Sequence, residues 1–393
     1  MRTRSALARV MPALLVFVCM QGSNTEAQDN TEARLSAAVS AAAPLTFELS
    51  QKTTEAQAAE ALAYWTPERL ANAQPMLPKV SEKASAAPEA AAQGGGTSVS
   101  LPGKRPTVAV GAESAVRLYD PAQVKIQAEA GGVEPQAVGT GGVPYTSARV
   151  NQPGLETIFP NRTVGKLFFT KTTGGNFVCS ASVIRQRIVL TAGHCVHLGS
   201  GGSAGFHKNF LFVPAFRDGS APLGTFTARL AGATSLWMTS GGVVPNLADF
   251  GMLEINDRGT TKIGAITGLL GVRTSSLSRN HTTKLGYPCN IDNCMKMQQV
   301  TSQNRSTTFE PAPNNVEYGS NAREGSSGGP WVMNYGIQGK GGLTSNLNAI
   351  VGVTSYGYVS TDIHLQGSSI PDSRAGGFIP LLNSMCARRA GNC

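Results

Sequence analysis

Residues 177–195 read FVCSASVIRQRIVLTAGHC: two short apolar runs, separated by Ile184-Arg185-Gln186, that end on a histidine held between Gly193 and Cys195. Phe177–Val183 and Arg187–Thr191 are too short for stable helices and rich in β-branched residues, so they predict neighbouring strands. Working outward, runs of the same texture recur at Thr163–Thr170, Phe210–Val213, Phe250–Ile255 and Ala349–Ser355, between Gly, Asn and Ser turns. Many short strands from Pro144 to the C-terminus predict an all-β barrel or sandwich. Composition agrees: 41% hydrophobic residues, 6% aromatics and 45 glycines in 393 residues suit a loop-rich β domain and argue against a coiled coil or fibre.

The chain is longer than that domain needs. Arg2, Arg4 and Arg9 precede the apolar stretch Met11–Met20, and polar residues follow. That is the pattern of a secretory signal peptide, with removal near Ala27. The apolar stretch is too short to span a bilayer, so no membrane anchor is expected and the protein should be exported, extracellular or periplasmic. Residues 28–92 are rich in Ala, Glu and Gln. Within them Ala58, Leu62 and Trp65 fall on one face of a short helix, and Pro67 should end it or open another towards Leu77. Residues 93–143 are Ala/Pro/Gly-rich and read as a flexible linker, removed on maturation, with short strands at Thr107–Val110 and Val116–Tyr119. The expected organisation is a signal peptide (1–27), a partly helical or disordered pro-segment (28–92), the linker (93–143) and the β domain (144–393).

Charge divides along the same line. From Gln28 to Val143 the net charge is −3, and from Pro144 onward it is +10. The basic residues are scattered, with no basic-aromatic interleaving, so nucleic acid is not an expected partner. An acidic segment ahead of a basic domain fits intramolecular docking. Six cysteines remain once Cys19 leaves with the signal peptide, and an even set in an exported chain predicts three disulfides. The close pairs Cys289/Cys294 and Cys386/Cys393 favour local loops, leaving Cys179 with Cys195. A zinc site is the competing reading, but the spacings hold no double Cys-x-x-Cys and no Cys/His quartet.

Three segments carry candidate chemistry: Thr191-Ala192-Gly193-His194-Cys195, Leu247-Ala248-Asp249-Phe250-Gly251, and Gly325-Ser326-Ser327-Gly328-Gly329-Pro330. A serine hydroxyl needs an adjacent base to become a nucleophile, and imidazole is the natural one near neutral pH. A buried carboxylate fixes the imidazole tautomer and stabilises the imidazolium. Glycines around the serine leave backbone N–H groups, here those of Gly325 and Ser327, free to meet an oxyanion. Asp218, Asp257 and Asp292 also lie between His194 and Ser327. Asp249 is preferred because a carboxylate entering an apolar strand needs a buried partner. His197 lies outside the motif and is expected at the surface, and His207, His281 and His364 have no comparable setting.

These segments resemble the chymotrypsin/trypsin family of serine peptidases, and Val164–Phe169 is similar to exported bacterial peptidases related to glutamyl endopeptidases. Thr191–Cys195 is similar to the family's Thr-Ala-Ala-His-Cys, with Gly193 for one Ala. Gly325–Pro330 is similar to Gly-Asp-Ser-Gly-Gly-Pro, with Ser326 for the Asp. The order His194, Asp249, Ser327 is the family's. The resemblance implies a double six-stranded antiparallel β-barrel and a secreted, monomeric serine endopeptidase acting on polypeptides with no cofactor or metal. It implies substrate contacts at Ser355, Tyr356 and Gly357, with Asn321 at the base of the specificity pocket. Arg323 or His364 would be further candidates for reaching a substrate side chain. Ser326 removes the carboxylate that in trypsin-like zymogens captures a new N-terminal amine. Latency is therefore expected through masking by residues 28–143, with cleavage near Arg149/Val150 as one route to release. An inert binding protein on a protease scaffold is the alternative. An esterase of the α/β-hydrolase kind would need the chain order Ser, Asp, His.

Overall fold

The computed structural model describes residues 50, 52–81, 88–89, 96–110, 115–125, 143–150, 154–275, 277, 280–304, 310–311, 314–336 and 347–393. These all belong to the compact unit Phe47–Cys393; the other unit, Met1–Thr46, and with it the expected signal peptide, lies outside the described residues.

The first barrel is built from β1 (Val164–Thr170), β2 (Asn176–Val183), β3 (Ile188–Thr191), β4 (Lys208–Pro214), β5 (Phe226–Ala233) and β6 (Gly251–Ile255). Its strands are antiparallel in the order β2-β1-β4-β5-β6-β3, and the β2–β3 pairing (Ser182 with Leu190, Val183 with Val189) closes the ring. Closure leaves each strand paired on both sides over part of its length. The interior is filled by side chains such as Leu167, Phe212, Val189 and Leu253, all fully buried.

The second barrel uses β7 (His281–Gly286), β8 (Gln298–Gln303), β9 (Asn315–Gly319), β10 (Pro330–Met333), β11 (Ala349–Val353) and β12 (Leu365–Ser369). Ladders join β11-β10-β7-β8 and β9-β12. Antiparallel bridges Asn304–Tyr318 and Tyr356–Gly367 complete the ring. Taken in chain order, both barrels place their strands as first, second, third, sixth, fifth, fourth around the ring, so one topology is used twice. Trp331, Tyr318, Val316 and Val351 pack inside the second barrel. This is the trypsin-like double barrel expected from the motifs. All three expected disulfides are present: Cys179–Cys195, Cys289–Cys294 and Cys386–Cys393. The last ties down the end of α2 (Phe378–Ala387), whose Phe378 ring meets Phe250 edge-on at 5.1 Å. Among the described residues no helix is long and apolar enough to cross a membrane.

The segments ahead of the barrels are laid onto them wherever they are described. Helix α1 (Glu55–Tyr64) starts on a capping box between Thr54 and Gln57. Pro67 then opens the short helical turn Pro67–Ala71. Trp65 is buried against Phe168, with its Nε1–H donating to Asn209 O at 2.6 Å. Of the expected face, Trp65 is buried and Ala58 half-buried, but Leu62 is 49% exposed, and Tyr64 makes a further contact through its hydroxyl to Asn176 Oδ1. Within 93–143, Ser100–Leu101 pairs with Val272–Arg273 and Val116–Arg117 with Ser220–Ala221. The strand expected at Thr107–Val110 does not form, and the Thr107 and Val108 amides reach Ala265 O. Arg149 and Val150, the suggested release point, end a strand, Tyr145–Arg149, paired with β8; Val150 is buried.

Tyr119 of this docked stretch meets a buried lysine. Lys166 Nζ on β1 lies 3.4 Å from Tyr119 Oη and 3.3 Å from Cys294 O, over the rings of Phe168 and Phe216. Burial pushes its pKa down from 10.5 to about 7. The unfolded chain therefore holds a proton that the folded one releases, and stability falls as pH drops from about 10.5 to about 7. Lys166→Met is expected to raise the unfolding free energy by about 2–4 kcal/mol at neutral pH and by less at alkaline pH. Urea unfolding at both pH values checks this; equal shifts would contradict it.

Candidate active site

His194 sits in a single helical turn, Gly193–Cys195, directly after β3, and the Cys179–Cys195 disulfide ties that turn to β2. Asp249 lies two residues before β6, which pairs with β3, so the ladder fixes the spacing of the two residues. Ser327 comes from the other barrel, in the turn leading into β10. The cleft between the barrels brings all three together. His194 Nε2 lies 2.8 Å from Ser327 Oγ, and His194 Nδ1 lies 2.7 Å from Asp249 Oδ2. The other Asp249 oxygen accepts the His194 backbone N–H at 2.9 Å. All three residues are at most 2% exposed. The three rival carboxylates lie elsewhere, in ion pairs: Asp218 with Lys296, Asp257 with Arg187 and Asp292 with Arg149.

The turn around Ser327 requires its glycines. Gly325 and Gly328 have φ of +91° and +76°, and a Cβ at Gly328 would come within 2.0 Å of Thr191 Oγ1. Ser180 Oγ–H donates to Gly325 O at 2.9 Å and accepts the Tyr287 N–H at 2.9 Å, which fixes how the Gly325 peptide is turned. Gly193, the departure from the usual Ala, also has a local cause. A Cβ there would lie 2.7 Å from Trp237 Cγ and 2.9 Å from Asp249 Oδ1. The Trp237 ring occupies that space, edge-on to His194 at 6.0 Å.

Ser355, expected as a substrate contact, braces the carboxylate instead: its Oγ–H donates to Asp249 Oδ2 at 2.6 Å. Other supporting residues carry no motif. The Asp249 N–H donates to Ser369 Oγ at 3.1 Å. His207 stacks on Phe169 and its Nε2 lies 3.3 Å from His194 O. Burial pushes the His207 pKa down to about 3, so its ring stays neutral. His197, expected at the surface, is fully buried: its Nε2–H donates to Gly202 O at 2.7 Å and its Nδ1 accepts the Gly199 N–H at 3.0 Å. The ring packs edge-on against Phe206, and this apolar contact draws it inward.

The expected substrate-side residues divide by role. Asn321 is buried, with its amide donating to Ser147 Oγ at 2.8 Å. The Ser355 hydroxyl is held by Asp249. The Tyr356 ring is buried over Gly367, and its hydroxyl donates to the buried Glu317 carboxylate at 3.2 Å. Gly357 is covered by the preceding segment: its N–H donates to Pro78 O at 3.0 Å. Arg323 reaches the carbonyl of Tyr358 at 3.1 Å, and His364 Nδ1 lies 3.1 Å from Tyr145 Oη. Ser326 Oγ–H donates to Arg323 O and accepts from Gln366 Nε2 at 2.7 Å, a neutral network where a carboxylate would otherwise stand.

The fold is a trypsin-like double barrel, with Ser327, His194 and Asp249 gathered in its cleft. Among solved structures the chain is similar to the protease Anisep from Arthrobacter nicotinovorans, at 28% identity over 57% of this chain and 93% of that one, with a TM-score of 0.46. It is similar to the thermostable serine protease AL20 from an extremophilic microorganism, at 25% identity over 57% and 96%, with a TM-score of 0.47. A Glu endopeptidase is similar at 19% identity over 64% and 100%, with a TM-score of 0.47. No protein-family model and no curated protein matches the chain.

Proposed function

We propose that this chain is a secreted serine endopeptidase, synthesised with an inhibitory pro-segment, that cleaves polypeptides through an acyl-enzyme. Ser327 Oγ attacks the peptide carbonyl carbon while its proton passes to His194 Nε2. Asp249 stabilises the resulting imidazolium, and the Gly325 and Ser327 N–H groups receive the oxyanion. His194 then returns the proton to the departing amine, and water releases the acyl group by the same steps. The observation that carries this reading is the unbroken hydrogen-bonded chain from Ser327 Oγ through His194 to Asp249, buried and braced by Ser355. Export is supported by the three disulfides, which persist in oxidising compartments. A fluorophosphonate probe applied to the matured, secreted protein should modify Ser327, identified by peptide mapping. A folded mature protein whose Ser327 stays unmodified would overturn the proposal.

A further inference from the structure

Between the short turn Pro67–Ala71 and Ser81 the chain runs extended through the cleft between the barrels. Gln74–Pro75 lies parallel to Phe177–Val178 of β2, and the Met76 N–H donates to Val178 O at 3.1 Å. Met76 O then accepts the Gly325 N–H at 3.1 Å, the donor assigned above to the oxyanion. Further on, Lys79–Val80 lies parallel to Gly357–Tyr358. There the Gly357 N–H donates to Pro78 O at 3.0 Å and the Val359 N–H to Val80 O at 3.1 Å. Side chains reinforce the fit. Leu77 Cδ2 packs against Gly357, Lys79 Nζ pairs with Glu324 at 2.7 Å, and Val80 is buried with Tyr356, Tyr358 and Leu365.

These contacts give the segment a direction: it travels from the barrel that carries His194 to the barrel that carries Ser327. A cleavable peptide must travel the other way. With its carbonyl oxygen in the oxyanion site, the bond's nitrogen must lie on the His194 side to receive the proton from Nε2. In the Met76–Leu77 bond the carbonyl is in position, but the nitrogen belongs to the arm heading for Gly357, away from the His194 barrel. We infer that Gln74–Val80 is a reverse-running peptide inhibitor built into the chain, which fills the cleft and occupies an oxyanion donor without being cut. The inference rests on the proposed peptidase function and adds to it the identity, polarity and register of the blocking segment.

The test uses the full chain and follows fluorophosphonate labelling of Ser327, which needs an open cleft but no peptide turnover. Labelling rate scales with the fraction of molecules whose segment has lifted away. Leu77→Asp combined with Lys79→Glu removes the Gly357 contact and sets a like charge against Glu324. Labelling should then be at least about tenfold faster than in the wild type. Adding Glu324→Lys to Lys79→Glu should slow it again, an effect that misfolding would not produce. Equal labelling rates in wild type and double variant would overturn the inference. So would Ser327-dependent cleavage of the Met76–Leu77 bond, detected by intact mass and absent in Ser327→Ala, because it would mean a substrate-like direction. Failure of every form to label, including chains freed of the segment by their own maturation, would instead overturn the peptidase reading and the inference with it.

Discussion

Ser327→Ala is expected to lower kcat by about a million-fold and to leave the fold intact. The hydroxyl is the group that would form the covalent bond, and no neighbouring group can replace it. Ser326 is next in sequence, but its Oγ is engaged by Arg323 O and Gln366. The structural role of residue 327 lies in its backbone, since Ser327 O accepts the Ser180 N–H at 2.7 Å, and that bond survives the substitution. The lost hydrogen bond to His194 Nε2 should cost about 1 kcal/mol of stability. Hydrolysis of a denatured protein by the matured variant, alongside its urea midpoint, checks both statements. Wild-type turnover in the purified variant would remove Ser327 from the mechanism.

The second large effect is expected from Asp249→Asn, about 10⁴-fold in kcat with little change in KM. The Asp249 carboxylate is fully buried and faces donors: the His194 N–H at 2.9 Å, His194 Nδ1–H at 2.7 Å and Ser355 Oγ–H at 2.6 Å. An asparagine offers a single acceptor oxygen, and its NH₂ group would point at a donor. Turning the imidazole to its other tautomer relieves that clash but puts the proton on Nε2, which then cannot accept one from Ser327. The same mismatch should cost about 1–3 kcal/mol of stability, because a buried polar group is left unpaired. A kcat within tenfold of wild type would show that the carboxylate is not needed to orient the base.

These two residues and His194 could be read from the chain because each sits in a short local pattern that a turn or strand edge imposes. Asp249 was separable from three other aspartates because only it opens an apolar strand, and an apolar strand implies burial. The strands and the three disulfides were legible for the same reason. What supports the site was not. His207 braces His194, Ser369 meets the Asp249 amide, and Ser180 orients Gly325 from 145 residues away. Such contacts follow from how the barrels close, and no sequence spacing encodes them. The stretch around residues 96–125 was read as linker because its Pro and Gly content suits an extended chain. Extended chain is also what a barrel edge can bind, and composition does not distinguish the two. Leu62 is a different case: it shares a helical face with Trp65, yet Trp65 packs on Phe168 while Leu62 stays exposed, because periodicity marks a face without fixing how far along it the neighbouring barrel reaches.

The neutral network at Ser326 has a consequence for maturation. Where an aspartate waits for a freshly made amine, activation depends on one peptide bond, since only a chain end of the correct length can reach the charge. Here Gln366 and Ser320 fill that place with amide and hydroxyl groups already bonded to one another. No counter-charge at this position calls for a new terminus of a particular length. On the proposed reading, activation becomes a subtraction. The cleft would open when Gln74–Val80 departs, wherever the chain behind it is cut, so a family of ragged N-termini would all be the same enzyme.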